Sequence, residues 1–203
     1  VVTTDKKGDA ALKDSLAEAM GKFSPDRTVL PIPDRNFGGS LGRTEATGYG
    51  VIETGPVVRM LGGGVIRCPR QAPLAERLLT IHTELGAVIE RFAPAAMAVE
   101  DLFNAKNARS SLILGHARGV ILLAGSTAGL PVVEYAPREV KQAVTGTGSA
   151  TKEQVQHMIV TMLKLDGVPA PDAADALAAA LCHGNQRRIQ ARLGTGKRIA
   201  GAR

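Results

Sequence analysis

The spacing of apolar and polar positions changes several times along this chain, and each change predicts an element. "GDAALKDSLAEAMGKF" places Ala, Leu and Met at helical intervals with charges on the opposite side, predicting an N-terminal helix. "VLPIPDRNFGGSLGR" follows with two prolines, a glycine pair and no period, so it reads as irregular. Then "TGYGVIETG" and "VVRMLGGGVIRC" form two short β-branched runs around the turn signal "TGP", which predicts a β-hairpin. "PLAERLLTIHTELGAVIERF" is an amphipathic helix opening near Pro73. "AAMAVEDLF" is a short apolar run, read as a buried strand ending on an acid. A helix rich in small residues follows, "NARSSLILGHARGVILLAGSTAGL", and then a strand, "PVVEYAP". "PREVKQAVTG" and "TKEQVQHMIVTMLKL" predict a short helix and a longer one, and "PDAADALAAALCHG" a last, mostly apolar helix. A hairpin followed by helix, strand, helix, strand and further helices is an α/β layout, with a mixed sheet antiparallel at the hairpin and parallel beyond it.

Composition narrows this picture. At 203 residues the chain suffices for one sizeable domain. Only 3% of residues are aromatic and none is Trp, so the core must be built from Ala, Val, Leu and Ile. No apolar run is long enough to cross a bilayer, and Val1 onward does not read as a signal peptide, so no membrane partner is expected. Cys68 and Cys182 match no zinc spacing and suggest reduced thiols in a cytoplasmic protein. The net charge of +6 is localised. Six of the 25 basic residues (Arg187, Arg188, Arg192, Lys197, Arg198, Arg203) lie in the acid-free tail "QRRIQARLGTGKRIAGAR", and the remaining nineteen balance nineteen acids. A solvated tail explains this, and so does contact with nucleic-acid phosphates.

The candidate chemistry lies in three places. Asp172 and Asp175 open the last helix three residues apart, so they share a face. Acids at a helix start are favoured by the free N–H groups and the macrodipole, which is a sufficient structural reason for them. Placed together at a sheet edge, they are also suited to a metal. Glu100 ends an apolar strand, where ligands of open α/β sheets bind, whereas Asp101 reads as a solvated loop acid. Lys106 and Arg109 begin a helix, where cations oppose the dipole and phosphate offers a reason for them. Phe103 is suited to core packing or to stacking on an unpaired base. Arg138, Lys141 and Lys152 flank a Gly-containing loop that lacks the GxxxxGK[ST] spacing of a nucleotide-phosphate loop. This disfavours an ATP-using protein, and no HExxH motif points to zinc.

Taken together, "TGYGVIE", "LAERLLTIHTEL", "VEDLFNAKNARSSLILGHARGV", "EYAPREVKQAVTGTGSATKEQVQHM" and "DAADALAAALCH" resemble, in the same order, the RuvC family of Holliday-junction resolvases. The resemblance spans about residues 44 to 188. It implies a ribonuclease H-like fold, a mixed sheet flanked by helices. It also implies a homodimer that binds a four-way DNA junction, works with a branch-migration helicase complex, and nicks two strands symmetrically in recombination and repair. Of the family's metal-binding acids, Glu100, Asp172 and Asp175 match, and all three are expected to be catalytic. Two Mg²⁺ ions would be held by these carboxylates, one activating water and the other stabilising the leaving 3′ oxygen. Phe103 matches a family aromatic that acts at the junction, and Lys141 and Lys152 match basic residues that approach DNA. Lys106, Arg109, Arg118 and Arg138 join them as weaker phosphate contacts.

The resemblance breaks at the start. The family's first strand carries a central metal-binding Asp, and counting back from Gly48 lands on Leu41. The nearest acids are Asp34 and Glu45: Asp34 follows the apolar "VLPI", although prolines argue against a central strand there, and Glu45 sits closer but lacks a strand before it. Residues 1–43 are therefore read as an atypical extension, disordered or misjoined, before a nuclease domain over 44–188 and a basic tail over 189–203. A missing first acid leaves a junction-binding protein with impaired catalysis as the alternative to an active endonuclease.

Overall fold

The structure is a computed structural model that describes residues 34–40, 46–69, 71–101 and 108–192, with 34–40, 108–110 and 191–192 described by backbone alone. The chain divides into two units, Val1–Ile32 and Pro33–Arg203, and every described residue lies in the second. The N-terminal helix expected in "GDAALKDSLAEAMGKF" and the tail from residue 193 onward lie outside the described residues.

Five strands form one mixed sheet: β1 (Asp34–Ser40), β2 (Ala46–Thr54), β3 (Arg59–Arg67), β4 (Ala96–Glu100) and β5 (Val132–Tyr135). Five helices accompany them: α1 (Leu74–Phe92), α2 (Ala108–Thr127), α3 (Pro137–Thr145), α4 (Lys152–Leu163) and α5 (Pro171–Arg192). The spatial order is β3-β2-β1-β4-β5. β2 pairs antiparallel with β1 and β3, while β4 runs parallel to β1 and β5. The expected hairpin is thus β2–β3, and the parallel half is β1, β4 and β5.

The segment read as irregular contains the central strand. Residues 34–40 pair with β2 on one side and β4 on the other, so the sheet begins at Asp34, ahead of residue 44. Pro31 and Pro33 precede this strand, which removes the objection that proline interrupts the ladder. At the other end, α5 continues through Arg192, so the basic segment starts as helix.

Strand alternation divides the core into two layers. Val51, Met97 and Val99 pack with Ile81, Leu85 and Ile89 of α1 and with Ala117 and Ile121 of α2. Ile52, Ala98 and Tyr135 face the other way, onto Val140 of α3, Ile159 of α4 and the alanine-rich α5. α5 is buried on nearly all sides over residues 173–184, as expected for a helix wedged between a sheet and an outer helical layer. Two glycines on β2 admit it. A Cβ on Gly48 would collide with the carbonyl of Asp172, and one on Gly50 would lie 2.7 Å from the Leu177 side chain.

Candidate active site

The C-terminal ends of β1, β4 and β5 and the N-terminal end of β2 share one edge of the sheet. Ser40 pairs with Gly48, Gly39 with Val99, and Glu100 with Tyr135. Extending the β1–β4 register by one residue sets Gly48, Ser40, Glu100 and Tyr135 in a row. Glu100 lies two residues beyond Ala98, which packs in the α5 layer, so it faces the same side of the sheet. The first turn of α5 rests on Gly48, where a Cβ would also come 2.9 Å from the Ala173 nitrogen. Asp172 and Asp175 are therefore held at the edge that Glu100 terminates.

Capping accounts for only part of this. Asp172 lies in the first turn of α5, where free N–H groups favour an acid. Asp175 lies beyond that turn, and its carboxylate is met instead by Lys152 Nζ at 2.9 Å. Half of the Lys152 side chain is exposed, so this pair adds little stability. Its meaning is chemical: a cation sits against the carboxylate that the sequence marks as a metal ligand. Among the described residues, no three His, Cys, Asp or Glu side chains converge on one point as a ready-made metal cage. Hard divalent cations of the Mg²⁺ kind bind through one or two carboxylates, with water and substrate phosphate supplying the rest, so this donor set suits them.

Asp34 is not part of this group. It begins β1 opposite Thr54, six residues from Ser40, and six strand residues span about 20 Å. The substitute ligand proposed from sequence thus lies at the opposite edge of the sheet. Arg118 is already paired: its guanidinium is engaged by Asp101, at 2.8 Å, and by Glu134, two carboxylates that compensate its charge. Asp101, read as a free loop acid, is one of those partners.

The other expected DNA contacts fall on the same edge or outside the described residues. Arg138 opens α3 just after β5 and is exposed, and its stem packs over Gly148. Lys141 follows one turn later, half-buried, and Lys152 opens α4. Arg109 is in the first turn of α2, with its backbone alone described. Phe103 and Lys106 lie outside the described residues.

One polar pair had no signal in the sequence. Tyr135 Oη and His183 Nδ1 are 2.8 Å apart and fully inside the core. The two residues are 48 positions apart, so no local spacing could have joined them. Burial pushes the Tyr135 phenol well above its ordinary range, with Cys182 and Glu139 adding to the effect. Cys68 and Cys182 are both free, in keeping with the reduced thiols expected from their spacing, and both are buried.

Residues 41–183 match the family model described as crossover junction endodeoxyribonuclease RuvC. The chain belongs to the RuvC family. Crossover junction endodeoxyribonuclease RuvC of Halorhodospira halophila is 49% identical over 144 residues, covering 71% of this chain and 86% of that protein. The RuvC of Syntrophotalea carbinolica is 52% identical over 141 residues, covering 69% and 88%. Among solved structures, Thermus thermophilus RuvC in complex with a Holliday junction substrate superposes with a TM-score of 0.73 at 38% identity. That alignment covers 77% of this chain and 96% of the other. The mixed sheet with helices on both faces is thus the ribonuclease H-like fold of the RuvC family. The alternative of a junction binder with impaired catalysis gains no support from these relatives, which are named as the endodeoxyribonuclease.

Proposed function

We propose that this RuvC-family chain is a structure-selective endonuclease that resolves four-way DNA junctions in recombination and repair. It would act as a homodimer with Mg²⁺ as cofactor, alongside a branch-migration helicase, in the cytoplasm. The carrying observation is that Glu100 and the Asp172–Asp175 turn, 72 or more residues apart in sequence, occupy one sheet edge through the contact of α5 on Gly48.

The residues divide the work by position. Glu100, Asp172 and Asp175 would hold the metal, their oxygens being hard ligands on rigid elements rather than on loops. When bound, Mg²⁺ supplies Lewis-acid activation of water and charge stabilisation at the leaving 3′ oxygen. Lys152 pairs with Asp175, and with Asp175 given to a metal it would be left to meet a phosphate oxygen. Arg138 and Lys141, on the helix that follows β5, extend the positive surface along the strand. Phe103, Lys106 and Arg109 lie along the chain between Glu100 and the body of α2, positioned in sequence to meet the junction. Attack of water opposite the 3′ oxygen leaves a 5′ phosphate and a 3′ hydroxyl, ends that a ligase can rejoin.

The test is a synthetic four-way junction, labelled on each strand in turn and incubated with Mg²⁺ or EDTA. Paired nicks at symmetric positions, dependent on Mg²⁺ and absent on linear duplex, support the reading. Equal cutting of duplex and junction, or cutting in EDTA, would overturn it.

A further inference from the structure

The helix that carries two of the three acids has a contact surface poorly suited to fixing its own position. Between Ala173 and Cys182 the buried face of α5 is made of alanines and two leucines. A row of methyl groups offers shallow grooves, so a small slide or rotation of such a helix forfeits few interlocking contacts. Apolar burial is also non-directional and favours contact without specifying register. A metal site tolerates far less freedom, because its ligands must be held to within about half an ångström. The seating of its first turn on Gly48 and of Leu177 on Gly50 sets its approach to β2, and a directional contact is needed to complete its placement along the axis.

Besides the half-exposed Lys152–Asp175 pair near its start, α5 makes polar contacts beyond its alanine face. Tyr135 Oη meets His183 Nδ1 at 2.8 Å, with both residues only 4% exposed. Asn185 Nδ2, two residues further along, donates to the Ala143 carbonyl of α3 at 3.2 Å. The Cys182 thiol makes only a long contact of 3.9 Å with the Glu139 carbonyl. Tyr135 is the cross-strand neighbour of Glu100. The same residue thus touches the strand position that carries one acid and the helix that carries the other two. A hydrogen bond has a narrow minimum in distance and angle, which a methyl-lined interface lacks.

We propose that the Tyr135–His183 hydrogen bond is a register key: it fixes α5 along its axis and so positions Asp172 and Asp175 opposite Glu100. The proposal rests on reading those three acids as one metal site. Tyr135 and His183 bond each other inside the core and act as positioning residues. His183 Nδ1 takes part in this bond, and an asparagine, whose side-chain amide reaches a similar place and can accept or donate, preserves a partner there. A leucine does not.

The variants are Tyr135→Phe, His183→Leu and His183→Asn, with Ile159→Val as a control for lost stability in the same core layer. Metal affinity of the protein alone is read by titrating Mn²⁺ and following the free-ion electron paramagnetic resonance signal. Affinity for the uncut junction is read by fluorescence anisotropy in EDTA. Tyr135→Phe and His183→Leu are expected to weaken Mn²⁺ binding about tenfold or more, the usual loss when a partner behind a ligand is removed. His183→Asn and Ile159→Val should stay within about twofold of the parent, and junction binding in EDTA should not change. If His183→Leu does not fold, Tyr135→Phe carries the comparison, since it removes a single oxygen. Tyr135→Phe with unaltered Mn²⁺ affinity overturns the proposal, as does His183→Asn behaving like His183→Leu. Mn²⁺ affinity that is the same in the parent and in Glu100→Gln would instead sink the underlying metal site, a different failure.

Discussion

Replacing Gly48 by alanine tests whether the sheet edge and the start of α5 form one site. A Cβ at this position would sit on the carbonyl carbon and oxygen of Asp172 and 2.9 Å from the Ala173 nitrogen. Ordinary non-bonded contact is about 3.5 to 4.0 Å. All three clashing atoms are backbone, so no side-chain rotation relieves them, and the helix start must lift by about an ångström or more. Overpacking of this kind costs roughly 1–3 kcal/mol. In a domain of this size that lowers the melting temperature by about 2–4 °C per kcal/mol. The catalytic cost is larger, because a displacement of about 1 Å at reacting groups is worth about a hundredfold in rate. The assay is single-turnover cleavage of a saturated four-way junction, with a thermal melt alongside. Gly86→Ala is the control: nothing lies within 4 Å of its added Cβ, and the change should stabilise α1 by about 0.5–1 kcal/mol with full activity. A Gly48→Ala protein that folds and cuts within about threefold of the parent would refute the placement of Asp172 against β2.

Three further outcomes are expected. Lys152→Met should weaken junction binding and reduce the slope of log K against log salt by about 0.9, the loss of one phosphate contact; an unchanged slope would leave Lys152 as a partner of Asp175 only. Ser40→Asp places a fourth carboxylate level with Glu100 and should lower the Mg²⁺ concentration that half-saturates cleavage; no change in metal requirement would contradict the register of β1. Stability should fall in alkali. The Cys182 thiol is pushed up to about 11 by burial and, secondarily, by Glu139, and burial raises Tyr135 as well. Both groups keep their protons when folded at a pH where the unfolded chain loses them, so stability is full below about pH 8.5 and declines as pH rises toward 11. A melting temperature that stays flat from pH 8 to 11 would contradict their burial.

Elements with their own periodicity were legible in the sequence. α1 shows an amphipathic repeat behind Pro73, and β2–β3 show β-branched runs around a Gly-Pro turn. β1 was not legible, because Asp-Arg-Asn-Phe-Gly-Gly-Ser has neither alternation nor a β-branched residue. Its strand character comes from two neighbours that pair with it, and sheet propensity is governed by such context. The same distinction runs through the site. Glu100 could be placed at a strand end from pattern alone, and Asp172 and Asp175 on one helical face. Their meeting depends on Gly48 and Gly50, whose lack of side chains matters only once α5 lies on them. The ion pairs of Arg118 were not legible, because its partners, Asp101 and Glu134, come from separate elements that the sequence does not bring together.

The proposed metal site depends most on Glu100. The direct measurement is cleavage of a synthetic four-way junction in Mg²⁺ by the parent and by Glu100→Gln, with junction binding measured in parallel. A metal site built on Glu100 predicts paired symmetric nicks by the parent. It predicts that Glu100→Gln binds the junction with unaltered affinity in EDTA and cuts it at least about a hundredfold more slowly. Nicking by Glu100→Gln at the parent's rate would contradict it.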